Sequence, residues 1–238
     1  MKILANDGIS DLGKSLLEAA GHEVSTNKVA QEALASAINE QGFDAVLVRS
    51  ATTVRKEVID ACPGLRLIGR GGVGMDNIDV AYAREKGLTV INTPASSSQS
   101  VAELVMGQLF SISRFLHDSF KNMSTGDFST LKKNYAKGVE LRGKTIGIIG
   151  FGRIGQSLAT YALGAGMKVI AIERKARIQP IALKIGGQTI EIPVKVVADL
   201  TEVLDQLDYI SIHVPKQADG GAVIGAPCQR RCAFHGHP

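Results

Sequence analysis

The chain has 238 residues, 45% of them hydrophobic and 21% charged, which is room for one large domain or two modest ones of ordinary globular composition. Its 27 Lys and Arg are scattered among 23 Asp and Glu, for a net charge of +4, and with no dense basic stripe and only 5% aromatics the composition argues against nucleic-acid binding as a function class. No apolar run approaches the ~20 residues needed to span a bilayer, no signal peptide opens the sequence, and the 3 cysteines (Cys62, Cys228, Cys232) cannot all pair within one chain, so a reduced, cytoplasmic protein is expected.

From Met1 the chain alternates short apolar runs with helix-period segments. Strands are expected at Lys2–Ala5, Glu23–Ser25, Ala45–Val48, Leu67–Gly69 and Thr89–Asn92, and helices at Asp11–Ala20, Ala30–Gln41, Lys56–Ala61 and Val80–Lys86. Gly21, Gly42 and Gly87 fall where those helices should stop. Strict alternation implies a parallel sheet with right-handed crossovers. The stretch Asn92-Thr93-Pro94-Ala95-Ser96-Ser97-Ser98 then breaks the rhythm and reads as a hinge.

Beyond it, Ser100–Phe120 reads as one long helix, followed by a polar segment containing Gly126 and Lys132-Lys133. A second alternating series begins at Lys144, with strand Thr145–Ile149, helix Arg153–Leu163, strand Lys168–Ile172, helix Leu200–Gln206 and strand Tyr209–Val214. Gln188–Ile192 and Val194–Val197 suggest a small hairpin turned at Pro193. The final segment, 226–238, has neither helical nor strand period.

The chemistry concentrates at Gly150-Phe151-Gly152-Arg153-Ile154-Gly155. Glycines fall into the Gly-x-Gly-x-x-Gly spacing by chance, so context decides. Here an apolar strand feeds the glycines and a helix leaves them, the arrangement of a dinucleotide-binding turn. Gly150 permits the tight turn, Gly152 lets backbone approach a pyrophosphate, and Gly155 allows close packing of helix on strand. Arg153 and Ile154 open the helix, whose unpaired N–H groups and positive dipole end suit phosphate. Glu173, ending the next strand, is placed to accept ribose hydroxyls. Its charge favours NAD over NADP, although Arg174, Lys175 and Arg177 follow closely.

These residues, together with four segments, give the sequence its family likeness: Val48-Arg49-Ser50-Ala51-Thr52, the run Ile68 to Asp79 with Arg70-Gly71-Gly72-Val73-Gly74 inside it, Asn92-Thr93-Pro94, and Leu141-Arg142-Gly143-Lys144-Thr145. The chain resembles the D-2-hydroxyacid dehydrogenases from Met1 to about Gly225, most closely their 3-phosphoglycerate-oxidising branch. The resemblance implies an α/β protein with a flavodoxin-like substrate domain (1–98) and a Rossmann NAD-binding domain (99–225) that is incomplete at its C-terminal end. It implies a small anionic 2-hydroxy or 2-keto acid held between them by Arg49, Ser50, Arg70, the N–H groups of Gly71, Gly72 and Val73, Asn92 and Ser98. His213-Val214-Pro215 would wall the adenine pocket rather than serve as acid or base. The cofactor implied is NAD, and the family assembly is a homodimer.

Family chemistry passes hydride between the substrate 2-carbon and the nicotinamide, with an arginine, a glutamate and a histidine that lie further along in relatives. The resemblance stops before those segments, so no catalytic residue is assigned and this chain is expected to be inactive alone. Loss of the downstream strands should also expose an apolar sheet edge. A non-catalytic NAD(H)-binding module or another 2-hydroxyacid dehydrogenase is the alternative function. In the tail, Cys228, Cys232, His235 and His237 offer zinc-ligand types at spacings shorter than structural zinc sites use, so an aberrant tail without metal is expected.

Overall fold

The apolar runs of the first ninety residues form parallel strands because each is short and carries β-branched or aliphatic side chains, the central ones largely buried on both faces and the edge ones on one. They are β1 (Lys2–Ala5), β2 (Glu23–Ser25), β3 (Ala45–Val48), β4 (Leu67–Arg70) and β5 (Thr89–Asn92), in the order β2-β1-β3-β4-β5 with every pairing parallel. That is the flavodoxin-like strand order. Helices α1 (Asp11–Ala19), α2 (Leu34–Gln41), α3 (Lys56–Ala61) and α4 (Val80–Glu85) make the crossovers. The computed structural model describes residues 1–124, 126–215 and 220–225. The chain divides into two compact units between Ser97 and Ser98.

In the first unit, Leu34 and Ile38 of α2 and Ile59 of α3 bury against Val46, Val48 and Ile68 of the sheet. Each fully buried side chain of this kind contributes about 1.5–3 kcal/mol. Gly42 closes α2 in the left-handed conformation, φ 66° and ψ 44°, with its N–H on the Asn39 carbonyl. Where one helix is expected over Ala30–Gln41, the chain first makes a 3-10 turn at Gln31–Ala33. The opposite face of the sheet carries Ile3, Ala5, Val24 and Ala45. On that face α1 buries no residue completely, and Leu12 (71% exposed), Leu16 (63%) and Ile91 (50%) face solvent.

The second unit opens with α5 (Ser98–Arg114), α6 (Leu116–Asn122) and α7 (Phe128–Tyr135). The expected single helix over Ser100–Phe120 is therefore two. Phe115 adopts φ 55°, and the Ser113 carbonyl accepts from Val139 N at 2.9 Å instead of continuing the helical ladder. The polar segment holds a helix that the sequence reading passed over; Asp127 caps it by accepting from Thr130 N at 2.7 Å.

The sheet of this unit has the order β10-β6-β7-β9-β8, made of β6 (Thr145–Ile149), β7 (Lys168–Ile172), β8 (Arg177–Ile185), β9 (Gln188–Val197) and β10 (Tyr209–Ile212), with α8 (Arg153–Gly164) after β6. Strands β10, β6, β7 and β9 are parallel, and β8 runs antiparallel to β9 at the edge. The hairpin turns at Gly186-Gly187, not at Pro193, which lies opposite Pro180 inside the ladder. Facing prolines fit there because a non-hydrogen-bonded pair asks neither for an N–H. The other side of β9 is also free of demand, since its pairing with β7 begins only at Lys195. The helix expected at Leu200–Gln206 is two 3-10 turns, and the last strand stops at Ile212 rather than Val214. The sheet has five strands where the sequence reading found three firm ones.

Ile146, Ile148, Leu158, Ala159 and Ala162 form the core of this unit with Ala102 and Met106 of α5. β10 is an edge strand, with Ile212 47% exposed. No helix among the described residues is long and apolar enough to cross a membrane. The cysteine and histidine positions of the tail lie outside the described residues.

Candidate functional site

In the first unit the candidate residues gather at the carboxyl ends of the parallel strands, where doubly wound sheets leave their binding crevice. Arg49 and Ser50 follow β3, Arg70 ends β4 with Gly71, Gly72 and Val73 behind it, and Asn92 ends β5. A partly buried polar network the sequence reading missed fixes the Arg49–Thr52 turn. Asp7 Oδ2 accepts from Arg49 N at 2.6 Å and Thr52 N at 3.1 Å, while Oδ1 accepts from the Thr52 hydroxyl at 2.6 Å. Asn6 donates to that same hydroxyl oxygen at 2.9 Å, and Asn77 Nδ2 donates to the carbonyls of Arg49 and Thr52, both at 2.7 Å. Burial pushes the Asp7 carboxyl up, but the Thr52 hydroxyl and the two amides outweigh it and hold it below its ordinary value. The available signal was polar side chains following an apolar strand, Asn6-Asp7 after Ala5.

The glycine turn after β4 differs in detail from the expectation. Gly71 N donates to the Val48 carbonyl at 2.8 Å and Gly72 N to the Arg70 carbonyl at 3.0 Å, so these two amides are spent internally. The amides of the turn left without a partner among the described residues are those of Val73 and Gly74. Arg70 folds its guanidinium over Gly72, where a Cβ would collide with Nη1. Its Nε is buried without a hydrogen bond. Asn92 Nδ2 ties the turn to β5 by donating to the Val73 carbonyl at 2.8 Å. Ser98 opens α5 in the second unit, buried, with an unpartnered hydroxyl. A cavity of about 550 Å³ opens at the amino ends of β4 and β5, away from these loops.

The second constellation surrounds Gly150. Gly150 N donates to the Ile172 carbonyl at 3.0 Å with φ 88°. A Cβ there would stand 2.7 Å from the His213 carbonyl and the Val214 side chain, so the end of β10 presses directly on the turn. Gly155 packs so closely on the Gly150 carbonyl that no Cβ fits, whereas a Cβ on Gly152 would meet nothing. Gly152 is the N-cap of α8 and supplies no side-chain cap, so the first amides of the helix, at Arg153 and Ile154, are unpaired among the described residues. Uncapped amides at the positive end of a 12-residue helix are a site for an anion.

Glu173 stands beside this turn. Its Oε1 accepts from Phe151 N at 3.0 Å and its Oε2 from Arg177 Nη2 at 2.6 Å. Gln156 Nε2 donates to the Phe151 carbonyl at 2.9 Å and stiffens the loop from inside. His213 shares a hydrogen bond of 2.8 Å with the Ser211 hydroxyl, and burial lowers its pKa, so the ring is neutral at pH 7. Val214 and Pro215 continue the same wall, both exposed. The structure thus gathers every candidate nucleotide residue around one turn, and separately gathers Arg49, Ser50, Arg70, the glycine turn and Asn92 at the strand ends of the first unit.

Two α/β units, one of flavodoxin-like strand order and one of Rossmann type with an uncapped glycine turn, define the class of protein. The chain belongs to the D-isomer specific 2-hydroxyacid dehydrogenase family, whose catalytic-domain model matches residues 3–209. It is 37% identical over 226 residues to D-3-phosphoglycerate dehydrogenase of Methanocaldococcus jannaschii, covering 94% of this chain and 40% of that one. It is 40% identical over 193 residues to hydroxypyruvate reductase of Thermotoga maritima, covering 81% of this chain and 58% of that one. The chain therefore spans 40% and 58% of the length of these two relatives. Among solved structures, a Thermus thermophilus protein superposes with a TM-score of 0.76 at 25% identity, over 92% of this chain and 66% of the other. An acyclic imino acid reductase in complex with NADPH and D-arginine gives 0.71 at 29% identity, over 92% and 67%.

Proposed function

We propose that the second unit binds a nicotinamide dinucleotide, NAD(H) in the first place, and that the first unit recruits a small anionic 2-hydroxy or 2-keto acid. The single observation that carries this reading is the uncapped amino end of α8, with open space at Gly152 and no room for a side chain at Gly150 or Gly155. A diphosphate meets the amides of Gly152, Arg153 and Ile154 there. Glu173 retains lone pairs for ribose hydroxyls, since a carboxylate offers about four acceptor sites and two are in use. Val214 and Pro215 give an adenine ring an apolar wall, with His213 as its neutral, half-buried support.

The substrate carboxylate belongs to the free amides of Val73 and Gly74, with Gly71 and Gly72 shaping the turn that aims them. Arg49, Ser50 and Arg70 hold the remaining anionic group, Arg by its planar fork. Asn92 fixes the turn. Residues 1–97 act as substrate domain and the chain from Ser98 to 225 as cofactor domain. The bound cofactor supplies hydride acceptance from, or donation to, the substrate 2-carbon. Two cationic side chains favour a substrate with a second anionic group beside its carboxylate, such as 3-phosphoglycerate. A hydroxypyruvate-like acid is the second reading, favoured by the 40% identity to the Thermotoga relative.

Proton transfer is not assigned to the described residues. Among them no histidine is hydrogen-bonded to a carboxylate: His22 meets the amino terminus and His213 meets Ser211. Self-association through a second copy is supported by the apolar side chains Leu104, Ile112, Leu116 and Phe120, exposed by 51–88% along α5 and α6. The test of the reading is titration of NADH into the chain, followed by nucleotide fluorescence and by calorimetry. Saturable binding with loss of affinity in Gly152→Asp is expected; native protein that shows no saturation with NADH or NAD+ overturns it.

A further inference from the structure

Glu173 does not face the ribose subsite alone. Arg177 Nη2 donates to Glu173 Oε2 and to Gln179 Oε1, both at 2.6 Å, its Nε donates to Gln179 Oε1 at 3.0 Å, and its Nη1 donates to the Lys175 carbonyl at 3.2 Å. The guanidinium is thus held in one orientation by partners of which only Glu173 is charged. Its backbone is equally fixed. Arg177 is paired with Val196 in the hairpin, and Val196 with Ala171 in β7, so the arginine comes from a sheet rung rather than a free loop. Arg174 and Lys175 add two further cations with no ion pair among the described residues. The Arg177 side chain keeps 40% of its surface exposed and that of Glu173 27%, so a ligand can reach both.

We propose that Arg177 is a specificity-determining residue of the adenosine-ribose subsite, and that it keeps a 2′-phosphate from being excluded. The inference rests on the nucleotide reading above and deepens it. A lone carboxylate at the end of β7 repels a 2′-phosphate; a carboxylate already paired with a guanidinium does so far less. The same guanidinium can turn its fork from Glu173 to phosphate oxygens, which it matches bidentately. A bare ribose leaves the ion pair in place and bonds the remaining lone pairs of Glu173. One pair of side chains therefore serves two cofactor forms, and NAD(P) discrimination is weak.

The test is calorimetric titration of NAD+ and NADP+ into the full chain and its variants, with thermal melts as a check on folding. The unmodified chain should bind the two with dissociation constants within about tenfold of each other. Arg177→Gln should weaken NADP+ by at least about tenfold, the size of a lost charge-assisted hydrogen bond, and change NAD+ by less than about threefold. Arg177→Lys should recover part of the NADP+ affinity, and Glu173→Gln should tighten NADP+ while weakening NAD+. On the unmodified chain, NADP+ affinity should fall more steeply with added salt than NAD+ affinity, a readout that needs no variant. Parallel loss of both nucleotides in Arg177→Gln, equal salt slopes, or rejection of NADP+ by more than about a hundredfold overturns the proposal while leaving the nucleotide reading intact. Failure of the unmodified chain to bind either nucleotide overturns both.

Discussion

Asp7 holds three donors with two oxygens, and that arithmetic decides what its loss does. In Asp7→Asn one oxygen becomes an NH2 group that faces either two amides or a hydroxyl oxygen already accepting from Asn6. Leaving such a partner unpaired costs about 1–3 kcal/mol, so a lower melting temperature and a looser Arg49–Thr52 turn are expected. Denaturant melts and hydrogen exchange over residues 49–52 would check it; an unchanged exchange rate there would count against the network. His213 gives a pH dependence of definite sign. Its folded pKa lies below the unfolded value of about 6.5, because burial disfavours the imidazolium. The stability it contributes is full above that unfolded value and is lost as pH falls through the folded one, because the unfolded chain then binds the extra proton. His213→Gln should flatten stability between about pH 6.5 and the lower folded pKa. Retention of the acid slope in that variant would place its origin elsewhere. Gly155→Ala forces a methyl against the Gly150 carbonyl, an overpacking of about 1–3 kcal/mol, and should distort the turn enough to weaken NADH binding.

Among the elements, those fixed by local apolar pattern were legible and those fixed by distant partners were not. The short parallel strands and crossover helices of the first unit follow from alternating apolar runs and terminal glycines, and most of their bounds moved by only a residue or so. The break at Phe115 has no glycine or proline to announce it; its cause is the Val139 amide returning to Ser113, far along the chain. The hairpin was misplaced because Pro193 looks like a turn in isolation, and only its pairing with Pro180 makes it tolerable inside a strand. At the candidate site, Gly150, Gly152, Gly155 and Glu173 were readable from spacing, and His213 and the Gly71-Gly72 turn only from the family resemblance. The Asp7 network and the Arg177–Glu173 pair were not, because the residues that meet come from different strands or from across a turn. The true turn supports a direct test. Gly186 and Gly187 have φ 55° and 81°, the two positive values a type I′ hairpin needs. Gly187→Val should cost about 1–2 kcal/mol, whereas Gly186→Asn should be nearly silent. Equal melting temperatures for both variants would mean the turn does not limit hairpin stability.

At the scale of the molecule, the apolar clusters among the described residues share no member across the Ser97–Ser98 division. Leu4, Val46 and Ile68 belong to one core, Ile146, Leu158 and Ala171 to another. A ligand that binds one unit therefore stabilises that unit's core directly. At free NADH of 100 times its dissociation constant, the gain is about 2.7 kcal/mol for the binding unit. Hydrogen exchange read by mass spectrometry should show this as slowed exchange in peptides covering β6, the glycine turn and β10. Peptides from β1 and β3 should exchange at the same rate with and without nucleotide. A small anionic 2-hydroxy acid should do the reverse, protecting residues 49–52 and 71–74 while β6 is unchanged. The physical reason is that each ligand lends its binding energy only to openings that would break its own contacts. Nucleotide protection spread evenly over both units would show that the two cores open together, and the assignment of one ligand to each unit would fail with it.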